Sequence, residues 1–282
     1  VDSTPKALRN AFSIDVEDYF HVEALSSAID RAQWDQLEYR AEANTRRVLE
    51  ILAQENVRAT FFVLGWVAKR SPQLVREIHA AGHEVACHGL THRTVYSQTP
   101  KVFRAETSEA KQLLQDAIGV PVRGYRAATY SITRRSLWAL DILAELGFSY
   151  DSSIFPIRHD LYGIPGSPRF AHRVASGSLL EVPITTVEWL GQRLPAGGGG
   201  YFRLLPYALF RAAVRRVNTR DRQSAVFYCH PWEIDPEQPR VAGVSAKSKF
   251  RHYTNLDRME SRLRRLLRDF SWGRMDEVFD VA

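Results

Sequence analysis

Ala11-Phe-Ser-Ile-Asp-Val-Glu-Asp18 is the stretch from which the fold can be read. It opens as a hydrophobic strand and closes on three carboxylates. Two other segments share that form. Glu84-Val-Ala-Cys87 leads into His88-Gly-Leu-Thr-His92, and Phe227-Tyr-Cys229 leads into His230-Pro-Trp232. Each strand-like run stops at residues able to bind a metal or move protons. A parallel α/β barrel gathers the C-terminal ends of its strands at one mouth, so these residues would meet there. Polar groups at such ends are tolerated when they face a cleft or find partners. The expectation is a mononuclear metal site with an acid and a base beside it.

Candidate strands lie at 10–16, 57–63, 83–87, 122–126, 148–151, 179–184 and 225–230. Helical patterns alternate with them, which argues for a parallel sheet with helices outside. Ser71-Pro72 reads as an N-cap followed by Pro at the first helical position, with Gly82 closing the helix. Thr99-Pro100 opens a second helix that runs to Gly119, and a third runs from about Thr133 to Gly147. Seven strands suggest a barrel one short of eight, with an open doubly wound sheet as the alternative. Residues 155–178 and 185–204 exceed a normal connection length, as functional loops often do. Within the second, Gly197-Gly-Gly-Gly200 suits either close backbone approach to a ligand or a hinge.

The 282 residues, 45% hydrophobic and 25% charged, suit one soluble α/β domain with ample core. No apolar run approaches the ~20 residues needed to span a bilayer. Val1-Asp-Ser-Thr-Pro-Lys6 lacks the apolar stretch of a secretory signal. With only Cys87 and Cys229 there is no disulfide framework, so the compartment is open, with cytoplasm favoured and periplasm the alternative if a signal has been removed. Each cysteine precedes a candidate histidine, and strand alternation turns it to the opposite, buried side.

The net charge of +6 raises a nucleic-acid reading. Its C-terminal share, however, sits opposite an apolar stripe (Leu256, Met259, Leu263, Leu266, Leu267, Phe270), as on a docked, solvated helix. Thr254-Asn-Leu-Asp257 has the form of a capping box at its start. The basic face could touch anionic lipid headgroups or an acidic saccharide.

The i, i+4 spacing of His88 and His92 would put both rings on one face of a helical turn, suiting two ligands of one zinc ion. The cluster Asp15, Glu17, Asp18 can supply a third ligand and leave a carboxylate free. Three acids so close need cations to neutralise them. A divalent metal and Arg126 would do so, Arg126 by a two-pronged hydrogen bond. His230 completes the set. Neither a Gly-x-Ser-x-Gly elbow nor a phosphate-binding glycine loop is present, which weakens serine hydrolase and nucleotide readings.

Over residues 10–235 these ordered motifs resemble the NodB-homology polysaccharide deacetylases, carbohydrate esterase family 4. Asp15-Val-Glu-Asp-Tyr-Phe20, Asp151-Ser-Ser-Ile-Phe-Pro156, Tyr162-Gly-Ile-Pro165, Gly198-Gly-Gly-Tyr-Phe-Arg203 and His230-Pro-Trp-Glu233 are similar to the branch found beside exosortase and exopolysaccharide loci. The resemblance implies a deformed (β/α)7 barrel in one catalytic domain over 1–282, with 235–282 a family-specific extension ending in a docked helix. It implies a hydrolase that removes N-acetyl groups from amino sugars of a polysaccharide or lipid-linked glycan, using one divalent metal, commonly zinc.

By the same resemblance Asp15 is the catalytic base, Arg126 its holder and His230 the general acid. His88, His92 and Glu17 hold the metal, with Asp18 the alternative to Glu17. The oxyanion would meet a backbone N–H of Thr129 or Tyr130, although Ala128 replaces the family's usual Pro. Asp151 is the counterpart of the residue that orients the acid. Tyr130, Tyr201 and Trp232, with Trp189, could stack on sugar rings. Rival readings are an O-acetyl esterase, an allantoinase-like cyclic amide hydrolase, or a glycan-binding protein with a degenerate site. A nucleic-acid partner is not expected, and oligomeric state is left open.

Overall fold

Strands form at all seven predicted positions, and hydrogen bonding orders them into one curled sheet. The computed structural model describes residues 8–281, so the Val1–Lys6 stretch read above lies outside the described residues. The strands are β1 (Asn10–Val16), β2 (Thr60–Val63), β3 (Glu84–Cys87), β4 (Gly124–Tyr125), β5 (Tyr150–Asp151), β6 (His172–Val174), β7 (Leu179–Glu181), β8 (Thr186–Trp189), β9 (Gln192–Pro195), β10 (Val226–Cys229) and β11 (Trp272–Gly273). The sheet runs β10-β1-β2-β3-β4-β5-β7-β6, parallel except for the terminal β6–β7 pair. The seven parallel strands make the expected deformed barrel. β11 adds alongside β1, and β8–β9 form a separate hairpin.

The arc is open between β7 and β10, and the glycine run fills part of that gap. Tyr228 N–H donates to Gly197 O at 2.7 Å. A Cβ on Gly197 would lie 2.6 Å from Val226 O, and one on Gly198 would lie 2.8 Å from the Tyr228 hydroxyl. The close approach is therefore to β10. A hinge is not needed to explain these glycines.

Cys87 and Cys229 are buried in the main apolar cluster with Phe61, Leu74, Ile78 and Phe103, as alternation predicts. Thr99 caps the helix Pro100–Ile118 by accepting from Val102 N–H at 3.3 Å, and Gly119 ends it at φ 74°. Two other caps differ from expectation. Ser71 precedes the helix Pro72–Ala80, but its hydroxyl donates to Glu42 at 2.6 Å. Thr254 donates to Phe250 O, so no capping box precedes the helix Met259–Asp269. The third predicted helix starts late, at Trp138, because Ser136 holds a turn with Ser131 and Thr133. Arg264 and Arg268 pair with Glu55, and Arg262 donates to the carbonyls of Phe202, Arg203 and Leu205. Much of the basic face thus brackets the helix to the body. Among the described residues, no helix is long and apolar enough to cross a membrane.

Candidate active site

β1 carries Asp15 on its last turn of alternation and delivers Glu17 just beyond its end, where both are buried. The loop after β3 brings His88 and His92 to meet them. Those histidines do not share a helical turn as their spacing suggests. Gly89 (φ 76°) and His92 (φ 52°) turn the loop instead, which brings the rings to 5.4 Å between centroids. Ligand atoms of Glu17, His88 and His92 all lie within 4.8 Å of one another.

Two further observations fit a metal here. His88 Nδ1 lies 2.9 Å from Arg126 O, which leaves Nε2 for a ligand, the usual arrangement of a metal-binding histidine. Glu17 Oε2 approaches His92 Nε2 to 2.6 Å yet has no hydrogen-bond geometry to any donor. Burial holds the His88 imidazole down at about 4, and so neutral at ordinary pH. Burial opposes ionisation of Glu17, but His92, His230 and His88 hold it well below the usual carboxylate range. Asp18, the alternative ligand, is committed elsewhere. Its oxygens accept from the N–H groups of Tyr19, Arg40 and Ala41, fixing the start of the helix Ala41–Gln54.

Arg126 is fully buried and donates to Asp15 Oδ1 at 2.6 Å and Ser13 Oγ at 2.9 Å through one nitrogen, not by the two-pronged bond expected. Its remaining N–H groups reach Ser152 O and Oγ, and Phe62 lies 4.0 Å beneath the guanidinium. An ion pair this deep is kept only with its other donors satisfied. The Tyr130 hydroxyl is 3.4 Å from Asp15 Oδ2. Its own N–H is donated to Ala127 O, which leaves Thr129, at φ 55° and lining the cavity, as the candidate oxyanion donor.

His230 follows β10, with Nε2 4.0 Å from Asp15 Oδ2 and 3.5 Å from Glu17 Oε1. Asp151 does not orient it. That carboxylate bonds to Ser153 and lies against Glu181, and burial pushes it up to about 6. Glu233 holds His230 Nδ1 at 2.8 Å and is itself held by buried Arg203 at 2.7 Å. Sequence reading missed this pair. Its only signals were the i, i+3 spacing in His230-Pro-Trp-Glu233 and the demand for glycine at 199, where a Cβ would strike the Glu233 carboxylate. Trp232 also borders the cavity, but it stacks with both His230 and His252 and is 4% exposed, so little of its ring is open to a sugar. Trp189, 57% exposed on the β8–β9 hairpin, lies outside the cavity lining. Tyr130 and Tyr201 do line the cavity, which holds about 450 Å³.

A family model described as polysaccharide deacetylase matches residues 32–150, and one described as a domain of unknown function, DUF3473, matches 152–280. A chitooligosaccharide deacetylase from Bradyrhizobium sp. (strain ANU 289) is 35% identical over 100 residues, 36% of this chain and 43% of that protein. A peptidoglycan-N-acetylglucosamine deacetylase from Bacillus cereus is 26% identical over 149 residues, 48% of this chain and 53% of that protein. The matched region thus spans about half or less of these curated relatives. Among solved structures, a candidate polysaccharide deacetylase from Mycobacterium smegmatis superposes with a TM-score of 0.64 at 21% identity, over 100% of this chain and 92% of that one. The Puue allantoinase does so at 0.62 and 14% identity, over 96% and 89%. These two likenesses speak for the fold alone.

Proposed function

We propose that this chain is a member of the polysaccharide deacetylase family and a metal-dependent enzyme that removes N-acetyl groups from an N-acetylated glycan and releases acetate. The observation that carries this reading is one cavity holding the Glu17, His88, His92 cluster, the Arg126-held Asp15 and the Glu233-held His230. Two imidazoles and a carboxylate suit zinc in a catalytic site with an open position. The ion, when bound, would polarise the acetyl carbonyl and make water a better nucleophile at neutral pH.

The protein groups divide the remaining work. Asp15 Oδ2, whose partner oxygen is fixed by Arg126, takes the proton of the attacking water. The Thr129 N–H stabilises the oxyanion, an interaction worth several kcal/mol in other hydrolases. His230 Nε2 donates its proton to the departing sugar nitrogen, which would otherwise leave as an amide anion. Glu233 keeps Nδ1 engaged so that Nε2 faces the substrate, and Arg203 keeps Glu233 ionised and in place.

Asp15→Asn preserves shape and removes the proton acceptor. Acetate release from an N-acetylated chitooligosaccharide should fall by ~10²–10⁴-fold while bound metal stays stoichiometric. Near-normal turnover in that variant would falsify the assignment of the base. Release from O-acetylated sugars with none from N-acetylated ones would replace the amidase reading with an esterase.

A further inference from the structure

The cavity above the catalytic groups has an apolar outer wall. Leu161, Leu204 and Phe250 line it from three separate segments and stay 36%, 37% and 59% exposed. Large apolar side chains gathered around a binding cavity mark a surface that a ligand covers. Phe250 sits on the helix Ala246–Tyr253, with Lys247 three residues before it and Arg251 one residue after, and both cations also line the cavity. They face one carboxylate, Asp160, at 3.1 and 3.7 Å, and His159 lies 3.0 Å from the same group. Glu23, on the turn packed against this helix, lies 3.4 Å from the Ser26 hydroxyl. Two cations sharing Asp160 can still offer donors to an incoming anion. The C–H face of a free polysaccharide could stack on Phe250 but would make little use of Leu161 and Leu204 beside it. An amphiphile with an anionic joint would use both features.

Resting on the deacetylase reading above, we infer that the substrate is an N-acetylated sugar joined through a phosphate to an apolar chain. The acetamido group reaches the catalytic floor, the phosphate meets Lys247 and Arg251, and the chain lies along Leu161, Leu204 and Phe250.

The test uses zinc-loaded protein and N-acetylglucosamine probes below their micelle concentrations: chitotetraose, the 1-phosphate, a dodecyl glycoside and a dodecyl phosphodiester. The phosphodiester amphiphile should exceed chitotetraose in kcat/KM by about tenfold or more, the gain expected for covering one large apolar side chain. Phe250→Ser should collapse the ratio of dodecyl glycoside to chitotetraose. Lys247→Gln combined with Arg251→Gln should collapse the ratio of phosphodiester to dodecyl glycoside. Chitotetraose as the best probe, or variants that lower every probe equally, would overturn the inference. Should no probe release acetate, the deacetylase reading fails by itself, and equilibrium binding then decides the substrate class. Tighter binding of the phosphodiester than of chitotetraose, lost in Phe250→Ser, supports the wall as its site. The reverse order overturns it.

Discussion

At the scale of single residues, His230 is made fit for its proposed role as the acid by its neighbours. Burial disfavours the His230 imidazolium, yet Glu17, Glu233 and Asp15 outweigh it and lift the group to about 9. The proton is therefore held below about 9 and lost above it, so amide hydrolysis should decline on the alkaline side. A cation on Glu17 would cancel part of that lift and bring the limb to lower pH. Glu233→Gln removes another negative charge, so its limb should move further toward acid, and turnover should lose part of the ~10²–10⁴-fold that proton transfer supplies. Asp151→Asn should leave the limb where it is. Rate profiles against pH decide, and a limb that follows Asp151 instead would restore the reading made from sequence. Asp15, Arg126 and His230 were legible because each lies at the end of a predicted strand. Arg203 and Glu233 end no strand, and their pairing joins positions 30 residues apart that no local pattern links.

At the scale of elements, apolar periodicity was a better guide than capping signals. The helix Met259–Asp269 packs Leu263 and Leu266 fully into the core, as its stripe predicts. Leu266→Ala should cost about 2–5 kcal/mol, seen as a lower urea midpoint with little change in slope. Thr254→Ala should cost much less than the ~1 kcal/mol of a lost N-cap, because that hydroxyl serves the Phe250 carbonyl. A loss as large as a cap would mean that the capping box forms in solution. Caps misread where tertiary partners claimed the hydroxyl, as Glu42 claims Ser71. The His88–His92 spacing pointed to two rings that do come together, but for the wrong local reason. Positive φ at positions 89 and 92 brings the rings together, and spacing alone cannot distinguish that loop from a helical turn.

Across the whole molecule, one site draws on both matched regions. Residues 32–150 contain His88, His92 and Arg126, while 152–280 contain His230, Glu233 and Arg203; Asp15 and Glu17 precede both. The seven strands and their parallel sheet were legible from alternation of strand and helix, but their order was not. The closure beside β10 was not, since a glycine run fits a hinge, a ligand loop or a packed crossing equally well until its neighbours are known. What would unite these parts, under the proposed function, is a dependence of chemistry on one metal held by Glu17, His88 and His92. The direct test strips the protein of metal, titrates it with zinc and follows acetate released from an N-acetylated glycan. Activity should rise linearly and break at one zinc per chain, and His88→Ala should show no such break. Acetate release that ignores zinc, or a break that survives in His88→Ala, would contradict the account.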